Sequence, residues 1–170
     1  GYSIEAAKKS GLFDRIIAQV LGQPRVLVHR DYMPRNLMIS EPNPGVLDFQ
    51  DAVCGPVSYD PACLFKDAFI SWPEQDIERW LRQYWQQARQ AGLPLPEQFE
   101  LFQRDCDVMG AQRHLKVIGI FARICHRDGK SHYLLDVPRF FAYLRTVAAR
   151  CEELSPLGEL LDRVDALKKE

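Results

Sequence analysis

One segment of the sequence carries two acidic side chains and a carboxamide at spacings that suit phosphoryl transfer. His29-Arg30-Asp31 is followed by Asn36 five residues after the aspartate, and Asp48 comes twelve residues later. Phosphoryl transfer needs a base for the proton of the acceptor hydroxyl and hard oxygen ligands that hold Mg²⁺ on the triphosphate. A loop of the form H-R-D-x-x-x-x-N with an aspartate on the next hairpin supplies both.

The residues of this segment divide into separate predicted roles. Asp31 is predicted to be the general base, while Asn36 and Asp48 hold Mg²⁺ and, through it, ATP as the co-substrate. His29 and Arg30 are predicted to support the loop. Asp and Asn are common in turns, so each of them alone could be structural. Their joint spacing between apolar runs favours a kinase-type site.

Short apolar runs flank these residues and would position them. Residues 26–28, 37–39 and 46–47 are rich in Val, Leu and Ile, and a proline- and glycine-containing turn lies at residues 41–45. Such runs separated by turn residues are typical of strands. The sequence therefore predicts a short β-hairpin that carries the catalytic and metal residues.

The chain after about residue 58 has a helical pattern. Amphipathic helices are predicted to begin at a capping box over residues 71–74 and near residues 96, 136 and 155, and residues 3–20 predict two short helices or one broken helix. The fold class is therefore α+β, predominantly helical. Trp72, Trp80 and Trp85 are expected in the core, although an exposed tryptophan could stack on a sugar ring.

Composition narrows the class of protein. The 170 residues and 19.6 kDa indicate one domain or one large lobe, and 46% hydrophobic with 26% charged residues is an ordinary globular composition. Lys and Arg number 22 against 23 Asp and Glu, without the basic excess of nucleic-acid or polybasic membrane binders. No apolar run approaches membrane-helix length, and five cysteines without a CxxC pair predict a reduced, cytoplasmic protein.

The acceptor is predicted to be a small molecule. A protein kinase would continue Asp-Phe-Gly into a long activation segment, but here Gln50 replaces the glycine. Only nine residues separate Gln50 from Asp60-Pro61, where a helix is expected to begin. This leaves no room for a segment that docks a peptide. A non-catalytic, pseudokinase-like binding module is an alternative, although it would be expected to lack one of the three key residues.

A resemblance to a known family rests on residues 29–36, Asp48, Gly55-Pro56 and residues 59–62. With these residues the sequence resembles the C-terminal lobe of the aminoglycoside phosphotransferase family, and the resemblance covers essentially the whole chain. Within that family the sequence is most similar to bacterial cell-wall sugar kinases, on residues 29–38, 47–52 and 112–121. Arg30 replaces the glycine of many antibiotic-modifying members, and Gln50 and Asp51 replace their Trp-Glu. Both departures weaken the antibiotic interpretation.

The resemblance implies a fold, an activity and partners. The fold would be a protein-kinase-like C-terminal lobe over residues 1–170, with the catalytic loop and metal hairpin in 22–50 and a helical acceptor-binding part in 58–170. The activity would be ATP-dependent phosphorylation of a sugar hydroxyl, at the anomeric position of N-acetylmuramate or N-acetylglucosamine, in peptidoglycan recycling. An aminoglycoside or another small alcohol is the alternative acceptor. No glycine-rich loop or strand lysine precedes residue 20, so an ATP-binding N-terminal lobe of the same protein is the expected partner.

Candidate acceptor-binding residues are Asp51, Lys116 and Arg123. On a helical projection, Lys116 and Arg123 fall on one basic stripe of residues 112–127. Either cation could meet an anionic acceptor group such as the lactyl carboxylate of muramic acid. They could instead pair with acidic side chains of neighbouring helices or reach solvent. His114 falls on the apolar side and is predicted to be a core histidine.

Overall fold

The computed structural model describes residues 11–67 and 69–167, and most of them are helical. The α-helices of this part of the chain are α1 (Leu12–Leu21), α2 (Tyr59–Phe65), α3 (Glu74–Gln90), α4 (Phe99–Asp128), α5 (Val137–Arg150) and α6 (Ser155–Leu167). Its strands are β1 (Arg25–Val28), β2 (Leu37–Met38), β3 (Gly45–Val46) and β4 (Val53–Pro56). Short 3₁₀ helices occupy Pro34–Asn36, Phe49–Asp51, Ser131–Asp136 and Glu152–Leu154. The α+β, predominantly helical class is confirmed.

The strands form two small antiparallel sheets. β2 pairs with β3, with Leu37 opposite Val46, as the apolar runs predict. β1 pairs with β4, a strand that the sequence analysis missed, and Val28 lies opposite Val53. Glycine is required at position 55 of β4, because a Cβ atom there would approach Cγ2 of Val28 to 2.7 Å.

Residues Val20–Gly110 form one compact unit that contains both sheets and α3. Its core includes the buried residues Val57, Ile77, Leu81, Phe99, Phe102 and Cys106. Ile77 and Leu81 lie one helical turn apart on the apolar face of α3, as an amphipathic helix requires. Burial raises the pKa of the Cys106 thiol well above its usual range, so Cys106 is an uncharged core residue.

A buried ion pair lies in the same unit. Lys66, directly after α2, donates from Nζ to the carboxylate of Asp107 on α4, and both side chains are almost fully buried. Burial of either charge alone would be strongly unfavourable, so the two residues are stabilised as a pair.

The described residues of segments 1–19 and 111–170 form the second compact unit. Phe140, Leu144 and Val147 on α5 and Leu157 and Leu161 on α6 are buried there. His114 is buried too, with its ring 5.0 Å from that of Phe140 and 4.4 Å from that of Tyr143. The prediction of a core histidine is confirmed.

The helix predictions differ from the structure mainly at helix ends. Helix α3 begins at Glu74 with an extended Pro73 before it, rather than at the predicted capping box that starts with Ser71. It ends before Gly92, whose φ of 79° is favourable for glycine. Of the two short helices or one broken helix predicted over residues 3–20, the part before residue 11 lies outside the described residues, and α1 accounts for the rest. No helix in the described ranges has the length and apolar character needed to cross a membrane.

Candidate active site

The backbone of the loop after β1 is held independently of the Asp31 carboxylate. The Asp31 carbonyl oxygen accepts hydrogen bonds from N–H of Met33 and Nδ2 of Asn36, both at 2.9 Å. The carboxylate takes part in neither bond, and the residue is only half-buried. The carboxylate is therefore not used to hold the loop in place.

A carboxylate from α2 fixes the start of this loop. Asp60 accepts hydrogen bonds from N–H of His29 at 2.7 Å and from N–H of Arg30 at 3.0 Å. Arg30 has a φ of 77°, in the left-handed region where a side chain is unfavourable. Asp60 is thus a functional residue that the sequence analysis did not assign. Its only signal was its place in the phrase Tyr59-Asp60-Pro61-Ala62.

His29 joins the loop to the segment that precedes Asp48. Its Nε2 donates to the carbonyl oxygen of Leu47 at 2.8 Å, which requires the tautomer protonated at Nε2. Its ring meets that of Tyr32 edge-on, with centroids 5.9 Å apart. These contacts fit the bracing role predicted for His29.

The pairing of the β2–β3 hairpin brings together the chain segments that carry the two predicted metal ligands, Asn36 and Asp48. The N–H of Leu47 donates to the carbonyl oxygen of Asn36 at 2.9 Å, and Asp48 is the next residue. Asp48 has a φ of 65°, a conformation that Asp and Asn tolerate better than most residues. Its exposed Oδ1 accepts a hydrogen bond from Nε2 of Gln50 at 2.5 Å. The Asp48 carboxylate therefore faces solvent or a ligand.

The side-chain atoms at this hairpin fit a magnesium ion. Because Asn36 directs Nδ2 to the Asp31 carbonyl, its Oδ1 is the amide atom left for a cation. No three His, Cys, Asp or Glu side chains cluster as a metal site within residues 11–67 and 69–167. Magnesium does not require such a cluster, because it usually takes one or two protein carboxylates and completes its shell with phosphates and water.

The remaining predicted site residues lie in different places. The guanidinium of Arg30 is 3.4 Å from the carbonyl oxygen of Asp51, which is exposed in its 3₁₀ helix. Lys116 and Arg123 are exposed on α4, in the unit that contains α5 and α6. The basic stripe is therefore open to solvent, and burial does not require its cations to pair.

Three bacterial proteins named N-acetylmuramate/N-acetylglucosamine kinase are similar to this chain. The Pseudomonas putida protein is 67% identical over 151 residues, which are 89% of this chain and 44% of that protein. The Pseudomonas aeruginosa protein is 65% identical over 155 residues, which are 91% of this chain and 46% of that protein. The Neisseria meningitidis protein is 53% identical over 148 residues, which are 87% of this chain and 44% of that protein. The chain spans less than half the length of each relative.

Residues 4–102 match the phosphotransferase enzyme family. This range is more than half of the chain, and it contains the loop after β1, the β2–β3 hairpin and Asp60. It thus covers the residues on which the resemblance to the aminoglycoside phosphotransferase family was based, and that resemblance is confirmed. The chain belongs to the phosphotransferase enzyme family.

Proposed function

We propose that this chain carries the catalytic residues of an ATP-dependent kinase that phosphorylates the anomeric hydroxyl of N-acetylmuramate and N-acetylglucosamine. The observation that carries the proposal is the arrangement of Asp31, Asn36 and Asp48, with one carboxylate on the loop and two oxygen ligands on the hairpin beside it. Three relatives that are 53–67% identical and are named N-acetylmuramate/N-acetylglucosamine kinase support this choice of acceptor.

In the proposed reaction, the loop and the hairpin act on different parts of the reactants. The Asp31 carboxylate receives the hydroxyl proton while the hydroxyl oxygen bonds to the γ-phosphorus and the bond to the β–γ bridging oxygen breaks. Asn36 and Asp48 would hold Mg²⁺, which supplies positive charge to the triphosphate when bound. Asp60 and His29 keep the loop in the geometry that this transfer needs.

Acceptor recognition and the other parts of the protein belong to the same proposal. Asp51, Lys116 and Arg123 are proposed acceptor contacts, with Arg123 directed to the muramate carboxylate. An N-terminal lobe of the same protein is proposed to bind the nucleotide. The reaction would serve peptidoglycan recycling in the cytoplasm, where ATP is available.

The test is an acceptor panel with the full-length protein and Mg·ATP. Release of ADP is followed with N-acetylmuramate, N-acetylglucosamine, choline and two aminoglycosides, and ³¹P NMR identifies the product. We expect turnover with the two amino-sugars and a phosphate attached at the anomeric carbon. Turnover with the aminoglycosides or choline alone would contradict the proposal, as would no turnover with any acceptor.

A further inference from the structure

A cavity of about 360 Å³ opens between α2 and one face of α3, in the unit formed by Val20–Gly110. This volume is within the range of small-molecule sites in proteins. The side chains that define its chemistry are Phe65, Trp72, Trp80, Gln83, Tyr84 and Gln87. None of the described residues that line it carries a formal charge at neutral pH. The cavity therefore suits a neutral ligand rather than a polycationic drug or a nucleotide phosphate.

Two tryptophans form the walls of the cavity at right angles. The rings of Trp72 and Trp80 lie 5.3 Å apart with an interplanar angle of 85°. Phe65 stacks on Trp80, at 5.8 Å and 29°, and holds that ring in place. Trp72 is 38% exposed, so its expected place in the core is incorrect. An aromatic face carries negative partial charge, which attracts the C–H face of a saturated ring.

Amide and phenol groups complete the lining. Gln83 and Gln87 are exposed and lie one turn apart on α3, so both carboxamides project from the same side of the helix. Each carboxamide offers two N–H donors and one acceptor oxygen. Burial raises the pKa of Tyr84, so its hydroxyl stays protonated at neutral pH. Aromatic walls with amide and hydroxyl groups at their edges match a ring that has C–H faces and hydroxyls around its rim.

Side-chain contacts link the segment before Trp72 to the loop after β1. The guanidinium of Arg35, which precedes Asn36, lies 3.4 Å over the ring of Phe69. The Asp67 carboxylate accepts hydrogen bonds from N–H of Phe69 and Ile70, at 2.7 and 2.9 Å, and so orders the segment that leads to Trp72. After burial and Cys106, the carboxylate of Asp60 also raises the pKa of Tyr84. The segment that leads to Trp72 is thus in contact with the loop through Phe69 and Arg35.

We propose that this cavity binds the neutral N-acetylated pyranose ring of the acceptor, packed against the exposed ring of Trp72 and hydrogen-bonded by Gln83 and Gln87. The inference rests on the proposed function, since the ring is that of the acceptor. N-acetylmuramate and N-acetylglucosamine share this ring, and none of the described side chains that line the cavity is a cation. The lining therefore suits the part of the molecule that the two sugars have in common.

The kinetic test uses the full-length protein and three variants. Trp72→Leu and the double variant Gln83→Ala/Gln87→Ala each should raise KM for both sugars by roughly 10-fold, the size expected for loss of one stacked ring or two amide contacts. The factor should be equal for the two sugars, and KM for ATP should not change. Gln86→Ala is the matched control, because Gln86 is exposed on α3 but does not line the cavity.

The outcomes separate this inference from the proposed function. Unchanged sugar KM values in both cavity variants would overturn it, and so would an equal rise in KM for ATP. If Trp72→Leu fails to fold, as circular dichroism would show, the glutamine variant decides alone. Saturation-transfer NMR without ATP tests sugar binding directly. If the signals of the sugar ring protons are lost in the glutamine variant and kept in Gln86→Ala, the cavity binds the sugar, even if no sugar is phosphorylated. If the wild-type protein gives no such signals, the inference is overturned.

Discussion

The backbone of Asp31 is fixed by Met33 and Asn36, while its carboxylate takes part in neither bond. In the full-length protein, Asp31→Asn should therefore keep the loop intact and remove the proton acceptor. We expect kcat to fall by roughly 10²–10⁴ with KM for ATP nearly unchanged. Steady-state kinetics measure both values, and Asp14→Asn, at an exposed position on α1, is the control. Wild-type kcat in Asp31→Asn would mean that another group receives the proton.

Asp48 combines a left-handed backbone with an exposed carboxylate. Asn tolerates this conformation, but Ala would add about 1 kcal/mol or more of backbone strain. Asp48→Asn should therefore raise the Mg²⁺ concentration for half-maximal activity by roughly 10-fold or more without lowering Tm, because it removes an anionic ligand alone. Asp48→Ala should show the same change in Mg²⁺ dependence together with a lower Tm. Identical Mg²⁺ titrations for Asp48→Asn and wild type would rule out a ligand role.

Spacing alone singles out Asp31, Asn36 and Asp48, because they lie on one short stretch of chain with recognisable chemistry. Their backbone conformations could not be predicted in the same way. The positive φ of Arg30 places a long side chain where glycine would be favourable. Only the structure shows the physical reason why a glycine would suit this position.

At the scale of elements, the first turn of α2 holds the catalytic loop through Asp60. An amide at this position keeps one acceptor oxygen and presents an NH₂ group to a backbone N–H. Asp60→Asn should lose at least one charge-assisted bond, worth about 1.5–3 kcal/mol, and should lower kcat. Amide hydrogen exchange at His29 and Arg30 should become roughly 10- to 100-fold faster.

Asp67→Asn is the matched control for Asp60, because Asp67 also accepts two backbone hydrogen bonds, from Phe69 and Ile70. Its effect on exchange should stay at residues 69 and 70. If the amides of His29 and Arg30 exchange at the same rate in Asp60→Asn as in the wild type, Asp60 does not position the loop.

The helices were predictable to within a few residues because apolar periodicity and the Gly92 and Gly129 breaks are local signals. Contacts between distant segments were not. β4 reads Val-Cys-Gly-Pro, which ends in turn residues and shows no alternation, and its pairing with β1 joins segments more than twenty residues apart. The buried pair of Lys66 and Asp107 likewise joins residues 41 positions apart. Neither residue differs in the sequence from an ordinary surface charge.

At the scale of the whole molecule, the unit Val20–Gly110 exposes large apolar side chains on and around its strands. Leu27 is 79% exposed, Ile39 98% and Phe49 68%. Large exposed apolar side chains of this kind are typical of interaction surfaces. Because the chain spans less than half of its relatives, we expect the proposed N-terminal lobe to cover this surface in the full-length protein.

In the full-length protein, substitution of Leu27 by serine tests whether the N-terminal lobe covers this surface. If Leu27 is covered, Leu27→Ser removes apolar burial worth about 1.5–3 kcal/mol and should lower Tm by several degrees. Leu135→Ser is the matched control, because Leu135 is 81% exposed and lies in the other unit, on the 3₁₀ helix before α5. It should leave Tm within a degree of wild type. Equal Tm values for the two variants would mean that Leu27 faces water in the whole protein, and the nucleotide-binding lobe would then have to pack elsewhere.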